Sequence, residues 1–230
     1  MKFEEILPLP LTRADVLQAI ARARQHHFID NLRARHPNVR FDSKLRGYVG
    51  EIALGNWLRH QNIRPDAENK HQGKFKLDVD FEYRGLGLEL KTSLVPDFDG
   101  TLRNTFLRRD LKLIRRSPHV EDLEGEVHIQ IFFDSLTRRK DAWLKAQSVD
   151  LNSNDPEYLY EALCARSYLG RTYLVGWIDK PSLVERIYEL PEAERTWEHA
   201  RREFWVCPLR EIYPPRSLPR FLGFYSDRLF

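Results

Sequence analysis

Asp78, Glu89 and Lys91 are the residues of this chain whose types and spacing lend themselves most directly to chemistry. Glu89 follows Asp78 by eleven positions and Lys91 follows Glu89 by two, within Lys76-Leu-Asp-Val-Asp-Phe-Glu-Tyr-Arg-Gly-Leu-Gly-Leu-Glu-Leu-Lys-Thr-Ser93. Two carboxylates beside an ammonium bind a divalent cation through hard oxygen ligands and orient a water molecule. Apolar Leu77, Val79 and Phe81 alternate with Asp78, Asp80 and Glu82, the period of a half-buried strand. Gly85-Leu86-Gly87 reads as the turn of a hairpin whose second strand alternates Leu88 and Leu90 with Glu89 and Lys91. Side chains on a strand change face at every residue, so Glu89 and Lys91 must point the same way. Asp78 and Asp80 share one strand face as well, and either can supply the aspartate.

The remaining pattern describes what must hold this hairpin. Residues 1–11 are extended, with Pro8 and Pro10 excluding helix. Thr12 or Asp15 can start a helix running to about Ala34. Arg33 to Arg46 reads as a basic loop, and a helix over Gly50–Gln61 buries Ile52, Ala53, Trp57 and Leu58 while Glu51 projects elsewhere. Beyond the hairpin, a helix is expected from about Asn104 to Arg116, strands at Val127–Phe133 and Tyr173–Ile178, and a helix at Pro156–Arg166. Residues 181–203 read as helical, and the aromatic, proline-rich tail from Phe204 as packing along the core or a partner. This order suits an α/β chain with a mixed central β-sheet flanked by helices. It is expected to form a single domain over 1–230: an N-terminal helical lead-in (1–39), a core (40–180), and a C-terminal helix and tail (181–230).

Asp78 with Glu89-Leu-Lys91 at the end of a hairpin resembles the PD-(D/E)xK nuclease superfamily, the restriction-endonuclease-like fold. The run Arg46-Gly-Tyr-Val-Gly-Glu-Ile-Ala-Leu-Gly-Asn-Trp-Leu58 is similar to the family's first core helix, in which a Gly-Glu pair adds an acidic group to the metal site. Here that group is Glu51. Tyr173-Leu-Val-Gly-Trp-Ile178 is similar to a later core strand, so the resemblance covers roughly residues 40–180. No proline precedes Asp78. The resemblance implies an αβββαβ core and a Mg²⁺-dependent endodeoxyribonuclease, with Mn²⁺ able to substitute. Asp78, Glu89 and the carbonyl of Leu90 would be metal ligands, Lys91 would hold or deprotonate the attacking water, and Glu51 would bind a second ion or a metal-bound water. Thr92 and Ser93 would contact phosphates. A type II restriction-type enzyme, homodimeric for double-strand cuts, is the expected form. The alternatives are a junction-resolving or repair nuclease of the same fold, and a DNA-binding module without catalysis.

Composition permits this without announcing it. The 230 residues carry a net charge of only +3, and their 42% hydrophobic content is enough for a real core. Between Arg103 and Arg116 six basic residues face the single Asp110. On the expected helix Arg108, Lys112 and Arg115 share one face, suited to a phosphate backbone. There is no apolar run of eighteen residues and no secretory signal pattern at the N-terminus, so a cytoplasmic location is expected. Cys164 and Cys207 lack the number and spacing for a disulfide framework or a zinc site. The chain has no GxGxxG after a strand, no Walker lysine loop and no GxSxG elbow.

Overall fold

A computed structural model describes residues 1–26, 37–66, 79–136, 150, 153, 155–164, 170–199 and 201–226. In chain order the elements are β1 (Leu7–Leu9), α1 (Arg13–His26), α2 (Pro37–His60), β2 (Phe81–Tyr83), β3 (Leu86–Val95), α3 (Leu102–Arg108), β4 (Asp110–Ile114) and β5 (Val127–Leu136). There follow α4 (Pro156–Cys164), β6 (Thr172–Asp179), α5 (Lys180–Glu189), β7 (Thr196–His199), β8 (Arg202–Pro208) and α6 (Leu218–Ser226). The chain is a mixed α/β protein. A five-stranded sheet runs in the order β1-β6-β5-β3-β2, and a three-stranded antiparallel sheet in the order β4-β8-β7. In the larger sheet β3 and β5 are parallel and the other neighbours antiparallel.

Local chemistry explains the starts and stops. Thr12 and Asp15 form a reciprocal cap on α1: the Thr12 amide donates to Asp15 Oδ2 (2.8 Å) and the Asp15 amide to Thr12 Oγ1 (3.2 Å). Pro37 occupies the first turn of α2, where its missing N–H costs nothing. Phe41, Leu45, Val49, Ile52 and Ala53 then recur at three- and four-residue spacing and are all buried. The expected basic loop over Arg33–Arg46 is therefore helix from Pro37 onward, because its charges sit between core-facing residues.

The two faces of the larger sheet bury different cores. Leu88 and Leu90 of β3 and Ile129, Ile131 and Phe133 of β5 pack with α1 and α2. Phe132 and Ile178 pack instead with Leu111, Leu113, Trp205 and Cys207 of the smaller sheet and with Leu183 and Ile187 of α5. By alternation, Glu89, Lys91, His128 and Gln130 belong to this second face, between the two sheets. Burial pushes the Cys207 thiol up to about 12, as befits a core side chain.

Two expected helices are strand in part. The helix expected over Asn104–Arg116 ends at Arg108, and Asp110–Ile114 forms β4, whose Leu111 and Leu113 are buried and whose partner is β8. The end is fixed by Asp99, which draws Arg109 into a two-pronged ion pair (2.7 and 2.9 Å). Over 181–203, α5 stops at Glu189, and Thr196–His199 pairs with β8 as a hairpin. The tail packs on the core: Tyr213 exchanges backbone hydrogen bonds with Trp177, and Trp177 Nε1 donates to Ser217 Oγ (3.0 Å).

Gly50 brings α2 onto β3. A Cβ there would lie 2.5 Å from Thr92 Cγ2 and 3.5 Å from Leu90 Cδ2. Gly50→Ala should therefore lower unfolding stability by about 1–3 kcal/mol in urea melts. Adding Thr92→Ser removes the obstructing methyl and should restore part of the loss. Simple additivity of the two changes would show that this contact does not set the helix–strand distance.

Candidate functional site

The hairpin turn is tighter than the sequence suggested. Tyr83 pairs with Leu86, so the loop is Arg84-Gly85, both at positive φ (49° and 80°), and Leu86 and Gly87 already belong to β3. Two-residue loops of this hand match the twist of the flanking strands. Asp66 holds the loop, accepting from the Arg84 amide (2.8 Å) and bridging to Glu82. Below the turn, the Asp80 amide donates to the Leu88 carbonyl (2.9 Å), and the Leu90 amide donates to Asp80 Oδ2 (2.7 Å). The Asp80 carboxylate thus takes the place of a ladder carbonyl beside Leu90. Within one strand residue the N–H and C=O point to the same side, so the Leu90 carbonyl faces the same edge.

On the adjoining face Glu89 and Lys91 are ion-paired through Glu89 Oε1. Glu89 Oε2 accepts from His128 Nδ1 at 2.8 Å. The parallel ladder places Glu89 beside His128 and Lys91 beside Gln130. The Gln130 amide donates to the Lys91 carbonyl (3.1 Å), to Ser93 Oγ (3.3 Å) and to the Ile131 carbonyl (2.8 Å). Glu89 is 1% exposed and His128 0%, while the Lys91 side chain keeps 23% of its surface in water. Gly125 closes the site: a Cβ there would stand 3.1 Å from Glu89 Cβ and 3.2 Å from His128 Cε1. His128 Nε2, also buried, has no hydrogen-bond partner among the described residues. Losing the Nδ1 contact would leave the ring with none.

Burial alone would raise the Glu89 carboxyl, but the hydrogen bond from His128 and the charge of Lys91 outweigh it and hold the group below its ordinary value. Glu89 is accordingly an anion at neutral pH, with one oxygen committed to a ring nitrogen and the other to a partly exposed ammonium.

The other expected site residues fall in several places. Asp78 lies outside the described residues, and with it the expected approach of its carboxyl to Glu89. Asp80 comes to the strand that carries Glu89. Glu51, on the helix that packs the opposite face, is paired with Arg22 of α1 at 3.3 Å. Thr92 meets that same helix at Gly50, so Thr92 and Ser93 address opposite faces and cannot both line one phosphate strand. Arg108, Lys112 and Arg115 do not share a helix face. Arg108 is exposed at the end of α3, Lys112 lies over the Trp197 ring on β4, and Arg115, just past β4, pairs with Glu203 and stacks on Trp205. Arg103 is paired with Glu4 and Arg109 with Asp99, so part of the local basic excess is already neutralised.

His128 is the residue that sequence reasoning missed. Its only signal is a parallel register joining two strands 39 positions apart, which a string of residues does not display. Among the described residues no group of three or more His, Cys, Asp and Glu stands ready for a metal ion. Carboxylate and main-chain oxygens at Asp80, Glu89 and Leu90 are nonetheless hard donors of the kind Mg²⁺ takes, one or two carboxylates with the rest from water and phosphate. No helix among the described residues is long and apolar enough to cross a membrane. Comparison with known proteins finds no matching family, no matching curated relative and no matching solved structure.

The depressed Glu89 value sets the sign of a pH effect. Its stabilising contribution is complete above the ordinary carboxylate value of 4.5 and lost as pH falls through the folded value. Urea midpoints at pH 7 and pH 3.5 should differ more in the wild type than in Glu89→Gln. Equal pH sensitivity in the two proteins would mean that this carboxylate is not the group being discharged.

Proposed function

We propose that this chain is a metal-dependent endodeoxyribonuclease that hydrolyses phosphodiester bonds with the Glu89–Lys91 pair, in the manner of PD-(D/E)xK enzymes. The observation that carries the proposal is the carboxylate–ammonium pair on one face of β3, with a hairpin aspartate delivered to the same strand at Leu90. The element order supports it in part. Helix α2 is followed by the β2–β3 hairpin, and β5, reached after α3 and β4, runs parallel to β3, while β4 itself joins the smaller sheet.

In this reading Glu89 Oε1, a hairpin aspartate (Asp78 or Asp80) and the Leu90 carbonyl would hold Mg²⁺, which would supply charge neutralisation to the phosphoryl oxygens. His128 Nδ1–H keeps Glu89 Oε2 in place, so the carboxylate retains its orientation when Lys91 leaves Oε1. Lys91 Nζ then orients the attacking water by hydrogen bonding. Gln130 fixes the Lys91 main chain, so that only the side chain moves. Glu51, paired with Arg22 on the opposite face of the sheet, takes no part in this reading.

A second reading, a nucleic-acid-binding module that keeps the fold without catalysis, is favoured by one fact: Glu89 is 1% exposed beneath Gly125. Supercoiled plasmid incubated with Mg²⁺ separates the two. The wild type should nick or linearise it and EDTA should stop the reaction. Lys91→Ala should lose at least about 100-fold in rate with DNA affinity little changed. Retardation of DNA without any cutting by the wild type would favour the binding module, and near-normal turnover of Lys91→Ala would exclude the proposed chemistry.

A further inference from the structure

The outer face of the smaller sheet carries a cluster of aromatic rings and cations. Leu111, Leu113, Trp205 and Cys207 point inward, so alternation sends Lys112, Phe204, Trp197, His199 and Arg202 outward. Register places Trp197 opposite Phe204, and His199 opposite Arg202. The Trp197 and His199 rings are stacked, 5.0 Å between centroids and 6° from parallel, and Phe204 tilts against Trp197 at 5.6 Å. Trp197 is 39% exposed, which is uncommon for so large an apolar ring. The Lys112 ammonium lies over the Trp197 ring, 3.2 Å from its centroid, and Arg202 is exposed at the start of β8.

Charge on this face is mixed, with Lys112 and Arg202 set against Asp110 and Glu194. Glu198 and Glu203 face each other on the inward side, and Glu203 is taken by Arg115. Asp110 lies on the outer face, and burial pushes its carboxyl above the ordinary value just as burial pushes the Lys112 ammonium below its own. Beside Trp197 a cavity of about 290 Å³ is lined by Leu190, Val206, Pro208, Asp110 and Glu194. A flat ring, apolar walls, acceptors at the rim and cations alongside are the separate requirements of a base, its amino edge and its phosphate.

We propose that this face is a binding platform for single-stranded nucleic acid, in which an unpaired base stacks against the Trp197–His199 pair. Its amino edge meets Asp110 and Glu194, and Lys112 leaves the indole to join Arg202 on the backbone phosphates. Planar rings displayed on an antiparallel sheet bind unpaired bases through their π-faces, largely irrespective of sequence. A duplex keeps its bases stacked on one another and offers this face only phosphate. The proposal goes beyond the nuclease reading and does not depend on it.

Binding is measured in EDTA, so that cleavage plays no part, with fluorescein-labelled dC15 and its RNA counterpart rC15 and a 20-base-pair duplex as probes, since cytosine carries an amino group that a carboxylate accepts from. The wild type should bind dC15, rC15 or both more tightly than the duplex, with quenching of tryptophan fluorescence. Trp197→Ala should weaken oligonucleotide binding by about 5- to 100-fold, and Trp197→Phe should restore most of it. Lys112→Ala should lower the slope of log K against log salt by about 0.7. His199→Ala and Arg202→Ala, both exposed positions, give a second reading should Trp197→Ala fold poorly. Oligonucleotide affinity within twofold of wild type in folded Trp197→Ala, or in both His199→Ala and Arg202→Ala, would overturn the platform. Preference for the duplex would do the same.

Discussion

A carboxylate taken out of water stays ionised only where donors and cations meet it, and Glu89 is met by one of each. His128 supplies the fixed donor and Lys91 the cation, the first wholly buried and the second reaching water. Much of the surrounding architecture serves that arrangement. The parallel pairing of β3 with β5 sets Glu89 beside His128, and Gly125 brings the covering chain close enough to seal both. A charge buried this deeply is costly to leave unpaired, so losing either partner should be felt through both sheets.

The two partners of Glu89 are held differently. The Lys91 side chain keeps 23% of its surface in water, while His128 is wholly buried. Lys91 can leave Glu89 at the cost of one ion pair, whereas His128 cannot move without disturbing the core that surrounds it. In the proposed nuclease reading, His128 is the half of the site that stays and Lys91 the half that a metal ion would replace. Asp80 contributes differently, since its carboxylate stands in for a ladder carbonyl at Leu90 and is fixed by the hairpin.

How much of this was legible in the sequence depended on range. Glu89 and Lys91, two apart on an alternating strand, were readable because strand geometry alone sets their common direction. The capped start of α1 at Thr12 was readable for the same reason, all its partners lying within one turn. His128 was not, because its relation to Glu89 exists only in the register of two distant strands. The basic run from Arg108 to Arg115 misled because its charges fit helical spacing as well as they fit the alternation of Asp110-Leu-Lys-Leu-Ile114. Five residues are too few to decide between the periods, and what decided was pairing with β8 almost a hundred positions later. The same event created the outward aromatic face, which no local pattern announced.

The central claim is that Glu89 exchanges Lys91 for a divalent cation while keeping His128. Anomalous diffraction from crystals soaked in Mn²⁺ tests it most directly. The account expects a single strong peak within ligand distance, about 2.2 Å, of Glu89 Oε1 and of a hairpin aspartate, with Lys91 swung away and the His128 contact intact. Crystals that take up Mn²⁺ elsewhere, or not at all, with the Lys91–Glu89 pair undisturbed, would contradict it.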